Sequence, residues 1–474
     1  MTASASKSID AHDGPIGREL ASLLSLAWPI ALAHFGMVLL GLVDVAILGR
    51  VSATELGGAS MGRSVAFTLA AIGLGVGAAL EPLAAQAVGA REPERAWAAL
   101  GASVRACVAL WVPSAALAIG ATWLLPWFGI DASLVRPARL YVLGNVPGML
   151  GVTFFIAGKT YLLAYGRTWP TLASAAAANV VNVVACLALV GGDELLARIG
   201  LPALGLPRLG ALGAGIASSF ANLVLGGGTL VASVRLHRKL SRAPTAAPEH
   251  APAPRASTPP PPTVRRVLGL SLPIGLQLLA EIGVFSVVAL LAGRLGEVSV
   301  SAHQVAIGLA SFTFMGALGV SSATSVRVGH AVGEGRSPRR VGLLGVGAGS
   351  AWMFLSGAAF ALFPAPLVRI FTEDARIIEL GTRLMYVAAL FQVFDGVQAV
   401  AAGALRGAGD VRYPFAVNLG AHWLVGFPLA IVLGFYAHLG ALGLWWGLLA
   451  GLVVVSVLLL ARFLRISGRA IARV

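Results

Sequence analysis

A chain of 474 residues that is 57% apolar and only 11% charged, with a mean hydropathy of +0.85, is not a water-soluble domain, since those carry about 25% charged residues. Its net charge of +14 invites a nucleic-acid reading, but the cations are distributed as a membrane protein distributes them, and no nucleic-acid partner is expected. Apolar runs of roughly 20 residues recur along the chain, enough to cross a hydrocarbon core of about 30 Å as helices, whereas a barrel would alternate in segments of about 10 residues.

In chain order, residues 1–19 form a polar tail of mixed charge. Six spans follow, near 21–48, 57–80, 97–125, 139–163, 169–190 and 211–234. Six more are expected near 267–292, 301–325, 341–364, 380–403, 413–436 and 441–463. The first run is too long for the apolar region of a signal peptide and lacks a small-residue cleavage pattern, so it is expected to remain as a span. Gly73-Leu74-Gly75-Val76-Gly77 lies inside the second span. No Lys-Ser/Thr follows it to make a phosphate loop, and close helix packing through small residues accounts for it. The spans group into an N-lobe, residues 20–234, and a C-lobe, residues 265–464. Between them runs a basic, Pro/Ala-rich linker, residues 235–264, with four prolines at Pro259–Pro262, expected to be flexible or PPII-like. Residues 465–474 are a second basic tail.

The two lobes are copies. Pro29 returns as Pro273, Gly49-Arg50 as Gly293-Arg294, and Ala87-Val88-Gly89 as Ala331-Val332-Gly333. Arg139-Leu140 returns as Arg383-Leu384 and Pro170 as Pro414, all at one offset of 244. A later match, Leu209–Gly213 against Leu439–Gly443, is offset by 230, which assigns about 14 extra residues to the polar loop Gly191–Arg208. The unit is far longer than a solenoid repeat. Because six is even, both copies enter the membrane in the same direction, as in transporters whose parallel repeats are related by an axis along the membrane normal. The fold class is therefore all-α integral membrane protein, twelve transmembrane helices in two six-helix lobes related by that pseudo-two-fold axis. Duplicated channels share such an architecture, so a channel or structural membrane protein remains an alternative.

Twelve spans put both termini and the linker on one side. Of the 34 Lys/Arg, 24 lie at or near that side and 9 on the other, with Arg63 near a span end. The positive-inside rule makes the rich side cytoplasmic, which places the chain in a bacterial-type inner (plasma) membrane as a multi-pass protein.

Three acids lie well inside spans: Asp44, Glu281 and Asp395. A charge in the membrane is costly, so such residues face the bundle interior and mark ion or substrate paths. None has a Lys or Arg three or four residues away on its own helix. At the repeat offset Glu281 maps onto Met37, Asp44 onto Val288 and Asp395 onto Gly151, so the copies share helix ends but none of these carboxyls. A carboxylate that takes a cation or proton in one conformation and releases it in another is the usual coupling element of an antiporter.

Asn179 and Asn182 could share a cation site with Asp44 or bond between helices. His303 and Gln304 begin span eight and are secondary candidates. Glu81 is expected to be solvated, Arg63, Arg105 and Lys159 to snorkel, Arg327 to anchor topology, and Asp410 to pair with Arg412. Cys107 and Cys186, in apolar spans, read as small packing residues. No catalytic triad, metal-ligand cluster or cofactor motif is present, so neither an enzyme nor a cofactor is expected.

Val43-Asp44 leading to Leu48-Gly49-Arg50, with a proline early in spans one and seven, resembles the multidrug and toxic compound extrusion (MATE) family. In the second half, Leu272-Pro273-Ile274-Gly275, Glu281, Ala302-His303-Gln304 and Arg327-Val328-Gly329-His330 are similar to its NorM-like branch. So is Phe391-Gln392-Val393-Phe394-Asp395, continuing to Gly403-Ala404-Leu405-Arg406-Gly407. The resemblance implies export of structurally varied, often cationic organic compounds, coupled to inward H⁺ or Na⁺, by a chain that works as a monomer in membrane lipid. It implies cation-coupling and substrate roles for Asp44, Asn182, Glu281 and Asp395, with a possible Na⁺ site at Glu281 and Asp395. Two departures count against Na⁺, which is held by oxygen as other hard cations are. Phe391 replaces a Tyr frequent in the branch, and Cys186 stands where many members have Asn or Asp. H⁺ is the favoured coupling ion. A flippase for lipid-linked sugars is a further alternative, disfavoured because its pyrophosphate headgroup would need in-span cations.

Overall fold

The computed structural model describes residues 16–128, 130–198, 200, 202, 205–242, 262–469 and 471–474. Among the described residues there are helices and no strand, and twelve helices are long and apolar enough to cross a membrane. They are α1 (Ile16–Gly49), α2 (Ala53–Gly89), α3 (Pro93–Leu124), α4 (Ala132–Ala164), α5 (Trp169–Val190) and α6 (Gly210–Arg242). Then come α7 (Val264–Arg294), α8 (Glu297–Gly333), α9 (Arg339–Leu362), α10 (Ala375–Gly407), α11 (Arg412–Tyr436) and α12 (Gly440–Ser467). Each corresponds to one expected span. The basic start of the expected linker is not loop: Arg235–Arg242 continue α6, because nothing in that stretch breaks a helix before the prolines begin. Residues 243–261 of the linker and 1–15 of the tail lie outside the described residues. The loop carrying the extra residues holds a short helix, Gly192–Arg198, and Asp193 accepts from the Gly205 and Leu206 amides at 2.9 and 3.2 Å.

Helix starts follow from side-chain caps. The Asp131 carboxylate accepts from the Ser133 amide at 2.8 Å before α4, and Asp374 from the Arg376 amide at 2.8 Å before α10. The Ser133 hydroxyl and amide hold the Asp131 carboxyl below its ordinary range, and Arg376 does the same for Asp374. The duplication is visible as α2 and α8, each 37 residues long and 244 apart. In α11 two π-helical turns, Ala421–Gly426 and Val432–Tyr436, flank Pro428, whose missing N–H interrupts the regular ladder.

The chain divides into two compact units. One, the N-unit, holds Ala33–Gly275, and thus most of α1, all of α2–α6 and the start of α7; Val474 joins it. The other, the C-unit, holds the start of α1 up to Leu32 together with Leu276–Arg473. The boundary therefore falls inside α1 and α7 and not in the linker, where the lobe limits 20–234 and 265–464 place it. In both helices it follows an internal proline, Pro29 or Pro273, by a few residues. The packing that causes this repeats at the 244 offset. Within the N-unit, Val267 of α7 packs in a core with Leu80, Leu100 and Tyr161, and a Cβ on Gly75 would lie 2.6 Å from the Ser271 carbonyl oxygen. Within the C-unit, Leu23 of α1 packs with Val320, Val400 and Val455, and a Cβ on Gly319 would lie 2.6 Å from the Ala27 carbonyl oxygen.

Close backbone approach is what the abundant glycines permit. The sharpest case is Gly447 of α12, where a Cβ would meet the N and Cα of Ala430 at 2.3 Å. Backbone cannot give way as a side chain can, so Gly447→Val is expected to destabilise the C-unit by at least the ~1–3 kcal/mol of an overpacked core. The melting temperature in detergent measures it, and a melt equal to wild type would refute the contact.

Candidate functional site

Each unit holds one of the carboxylate centres expected from the in-span acids, and the two differ in chemistry. In the N-unit, Asp44 of α1 is 3% exposed. Its Oδ1 accepts from Asn182 Nδ2 at 3.1 Å and from the Cys186 thiol at 3.2 Å, both on α5. Its Oδ2 accepts from the Ser218 hydroxyl of α6 at 2.6 Å and the Tyr141 hydroxyl of α4 at 3.3 Å. Asn182 and Cys186 meet the same oxygen because residues four apart share a helix face. The Arg63 guanidinium of α2 donates to the Gly41 carbonyl, one turn before Asp44, at 2.6 Å; it is held inside the unit, not snorkelled. Every contact to Asp44 is therefore a donor, and a carboxylate oxygen is an acceptor only.

In the C-unit donors are fewer. Glu281 of α7 is half-buried; its Oε1 accepts from Gln398 Nε2 at 3.2 Å and its Oε2 from Asn418 Nδ2 at 3.5 Å. Gln398 lies three residues after Asp395 on α10, and Glu281 is the charged neighbour of Asp395. The Arg406 guanidinium of α10 donates to the Ser321 hydroxyl at 3.3 Å. The amide oxygens of Gln398, Asn418 and Gln392 are buried with no donor, and Asp395 receives no hydrogen bond among the described residues. Two carboxylates and orphaned amide oxygens converge where donors are few, the composition that a proton or cation completes.

One turn beyond Asn418 on α11, His422 is buried with neither ring nitrogen hydrogen-bonded among the described residues, its ring 6.4 Å from Phe285, which lies one turn beyond Glu281 on α7. Phe391 is not at a polar position: its ring packs edge-on against Phe285 and Trp445 at 6.1 and 5.8 Å.

The secondary candidates separate. Asn179 donates to the Gly36 and Ala175 carbonyls at 3.0 and 2.8 Å, joining α5 to α1 away from Asp44. His303 is buried and its Nδ1 accepts from Trp445 Nε1 at 3.2 Å, joining α8 to α12. Trp445→Phe leaves the buried His303 Nδ1 without its donor and is expected to cost at least about 1–3 kcal/mol, read as a lower melting temperature with transport retained. Gln304 is exposed. Several expectations are corrected by burial and partners. Glu81 is buried, not solvated. Lys159 is buried with its Nζ 3.4 Å from His34 Nε2 and does not snorkel. Asp410 pairs with Arg462 at 2.9 Å instead of Arg412, because α12 brings that guanidinium across the loop. Arg327 donates to the Ser22 hydroxyl at 3.3 Å within the C-unit.

Tyr141, Ser218, Gln398 and Asn418 were not singled out in the sequence. Only Gln398 carried a signal there, its three-residue spacing from Asp395.

The family model described as MatE matches residues 29–187 and again 273–432. The two matches begin 244 residues apart, the offset of the internal repeat. The chain belongs to the MatE family. Over nearly its whole length it is similar to proteins named "Probable multidrug resistance protein NorM". That of Rhodopseudomonas palustris is 34% identical, covering 96% of this chain and 93% of the relative. That of Deinococcus radiodurans is 34% identical over 94% and 95%. Among solved structures, the eukaryotic MATE transporter AtDTX14 superposes with a TM-score of 0.80 at 20% identity, covering 96% of this chain and 98% of that one. An outward-facing multidrug resistance MATE transporter gives 0.77 at 18%, covering 95% and 96%. At such identities the likeness shows the MATE fold, and the chemistry rests on this chain's own residues.

Proposed function

We propose that this MatE-family chain is a cation-coupled antiporter exporting structurally varied, often cationic organic compounds by alternating access, with H⁺ preferred over Na⁺ as the coupling ion. The observation that carries it is the surplus of acceptor oxygens around Glu281 and Asp395, which a proton or cation would complete in one state and vacate in another. Asp44 with Asn182 forms the second centre, donor-rich and suited to holding a charge in place. The H⁺ preference is supported by Phe391, whose ring brings no oxygen to the C-unit site, and by Cys186, whose thiol donates to Asp44 where an oxygen ligand could have stood. The protein acts as a monomer in a bacterial-type inner membrane, with its termini and basic linker cytoplasmic.

The test is efflux of a fluorescent organic cation from proteoliposomes, driven in turn by a pH gradient and by a Na⁺ gradient. Efflux with the pH gradient alone is expected. Drive by Na⁺ alone would overturn the ion assignment. Flux that responds to neither gradient would overturn antiport and leave a channel.

A further inference from the structure

A crevice lies entirely within the C-unit, its mouth at the start of α9, about 15 Å along the helix from Gly349, which packs against Gly396 beside Asp395. It measures about 720 Å³, inside the roughly 300–1,000 Å³ of cavities that hold organic ligands. Its mouth is cationic: Arg336, Arg339 and Arg340 stand where α9 begins. Arg336 pairs with Glu334 at 2.5 Å and Arg340 with Glu19 of α1 at 3.6 Å. Arg339 is exposed and has no ion pair among the described residues.

Below the mouth the wall is apolar. Leu343, Gly347 and Ala351 follow Arg339 at four-residue intervals along one exposed stripe of α9, with Leu20 of α1 facing it across the crevice. Gly347 shows that the lane is open, since a Cβ there would meet nothing within 4 Å. From Arg339 to Ala351 the stripe runs about 18 Å at 1.5 Å per residue, against about 15 Å for one leaflet of a 30 Å hydrocarbon core.

We propose that this crevice binds one anionic phospholipid, its phosphate on Arg339 between Arg336 and Arg340 and an acyl chain along the Leu343–Gly347–Ala351 lane. A snorkelling arginine would account for the charge at the interface but not for an open apolar lane of leaflet length beneath it. Anionic headgroups are the complementary charge that membranes supply to such basic edges.

The test uses the delipidated full chain in detergent, with native mass spectrometry and melting curves in phosphatidylglycerol or phosphatidylcholine of identical acyl chains. Retention of phosphatidylglycerol about tenfold above phosphatidylcholine is expected, the factor of one charge-assisted contact. Arg339→Gln should remove the preference. Gly347→Trp should remove retention of both lipids, while Arg238→Gln, on α6 and outside the crevice, should change nothing. Equal retention of the two lipids by the wild type would overturn the proposal. So would wild-type retention by Gly347→Trp, or competition by glycerol phosphate as strong as by the lipid. Binding seen only after removal of residues 2–15 would overturn it in favour of the chain's own tail. If Gly347→Trp fails to fold, Arg339→Gln decides.

Discussion

Glu281→Gln and Asp395→Asn are each expected to cut gradient-driven efflux by about 10- to 100-fold, the factor carried by a charged contact of roughly 1.5–3 kcal/mol. Both substitutions keep the side-chain volume and remove the titrating oxygen, so neither should lower the melting temperature much. Glutamine at 281 brings an amide donor into a pocket where the Gln398 and Asn418 oxygens lack one, and can raise stability while transport falls. That opposition distinguishes a coupling site from a structural one. The measurement is initial efflux rate in proteoliposomes beside the melting temperature of the same preparation. Wild-type rates from both variants would remove these residues from coupling and leave the orphaned amide oxygens without a role.

The opposite pattern is expected at Asp44. Asp44→Ala leaves the donors of Asn182, Cys186, Ser218 and Tyr141 buried without their acceptor, at about 1–3 kcal/mol for each unsatisfied group. A loss of that size is a large part of a membrane protein's margin, and the variant is expected to fold poorly. Asp44→Asn keeps one acceptor oxygen and sets an amide against two of the donors, so an intermediate melting temperature and impaired efflux should follow. Ser218→Ala, which removes the 2.6 Å contact, should cost about 1.5–3 kcal/mol as a hydrogen bond to a charged group. If Asp44→Asn melts with the wild type, the carboxylate is not held as the distances imply.

The two centres therefore divide the roles that the three in-span acids share when they are met only as isolated carboxyls. Asp44 has four donors on its two oxygens and one orphaned amide oxygen beside it, that of Asn182, while Glu281 has two donors and Asp395 none among the described residues. The repeat already showed that the copies do not share these acids; the structure adds that they differ in how many donors each carboxyl receives.

Much of the fold was legible because hydropathy and span length are properties of contiguous residues, averaged over some 20 positions at a time. Twelve helices, the duplication at 244 and the three buried acids all follow from such local patterns, and the loop helix at Gly192–Arg198 falls where the extra residues were expected. The sequence was also sufficient for the family, through Pro273, Glu281 and Asp395 in their order. What surrounds each acid was not legible. The donors to Asp44 come from positions 97, 138, 142 and 174 residues away, and no pattern within one helix reports which faces of four helices meet. For the same reason Asp410 found Arg462 from 52 residues away and not the near Arg412, and the compact units divided after Pro29 and Pro273 and not at the linker. Membrane insertion is decided by composition, segment by segment. Which buried oxygen faces a donor and which is left open is decided only when the helices pack, because in a medium without water every polar group must find its partner inside the protein.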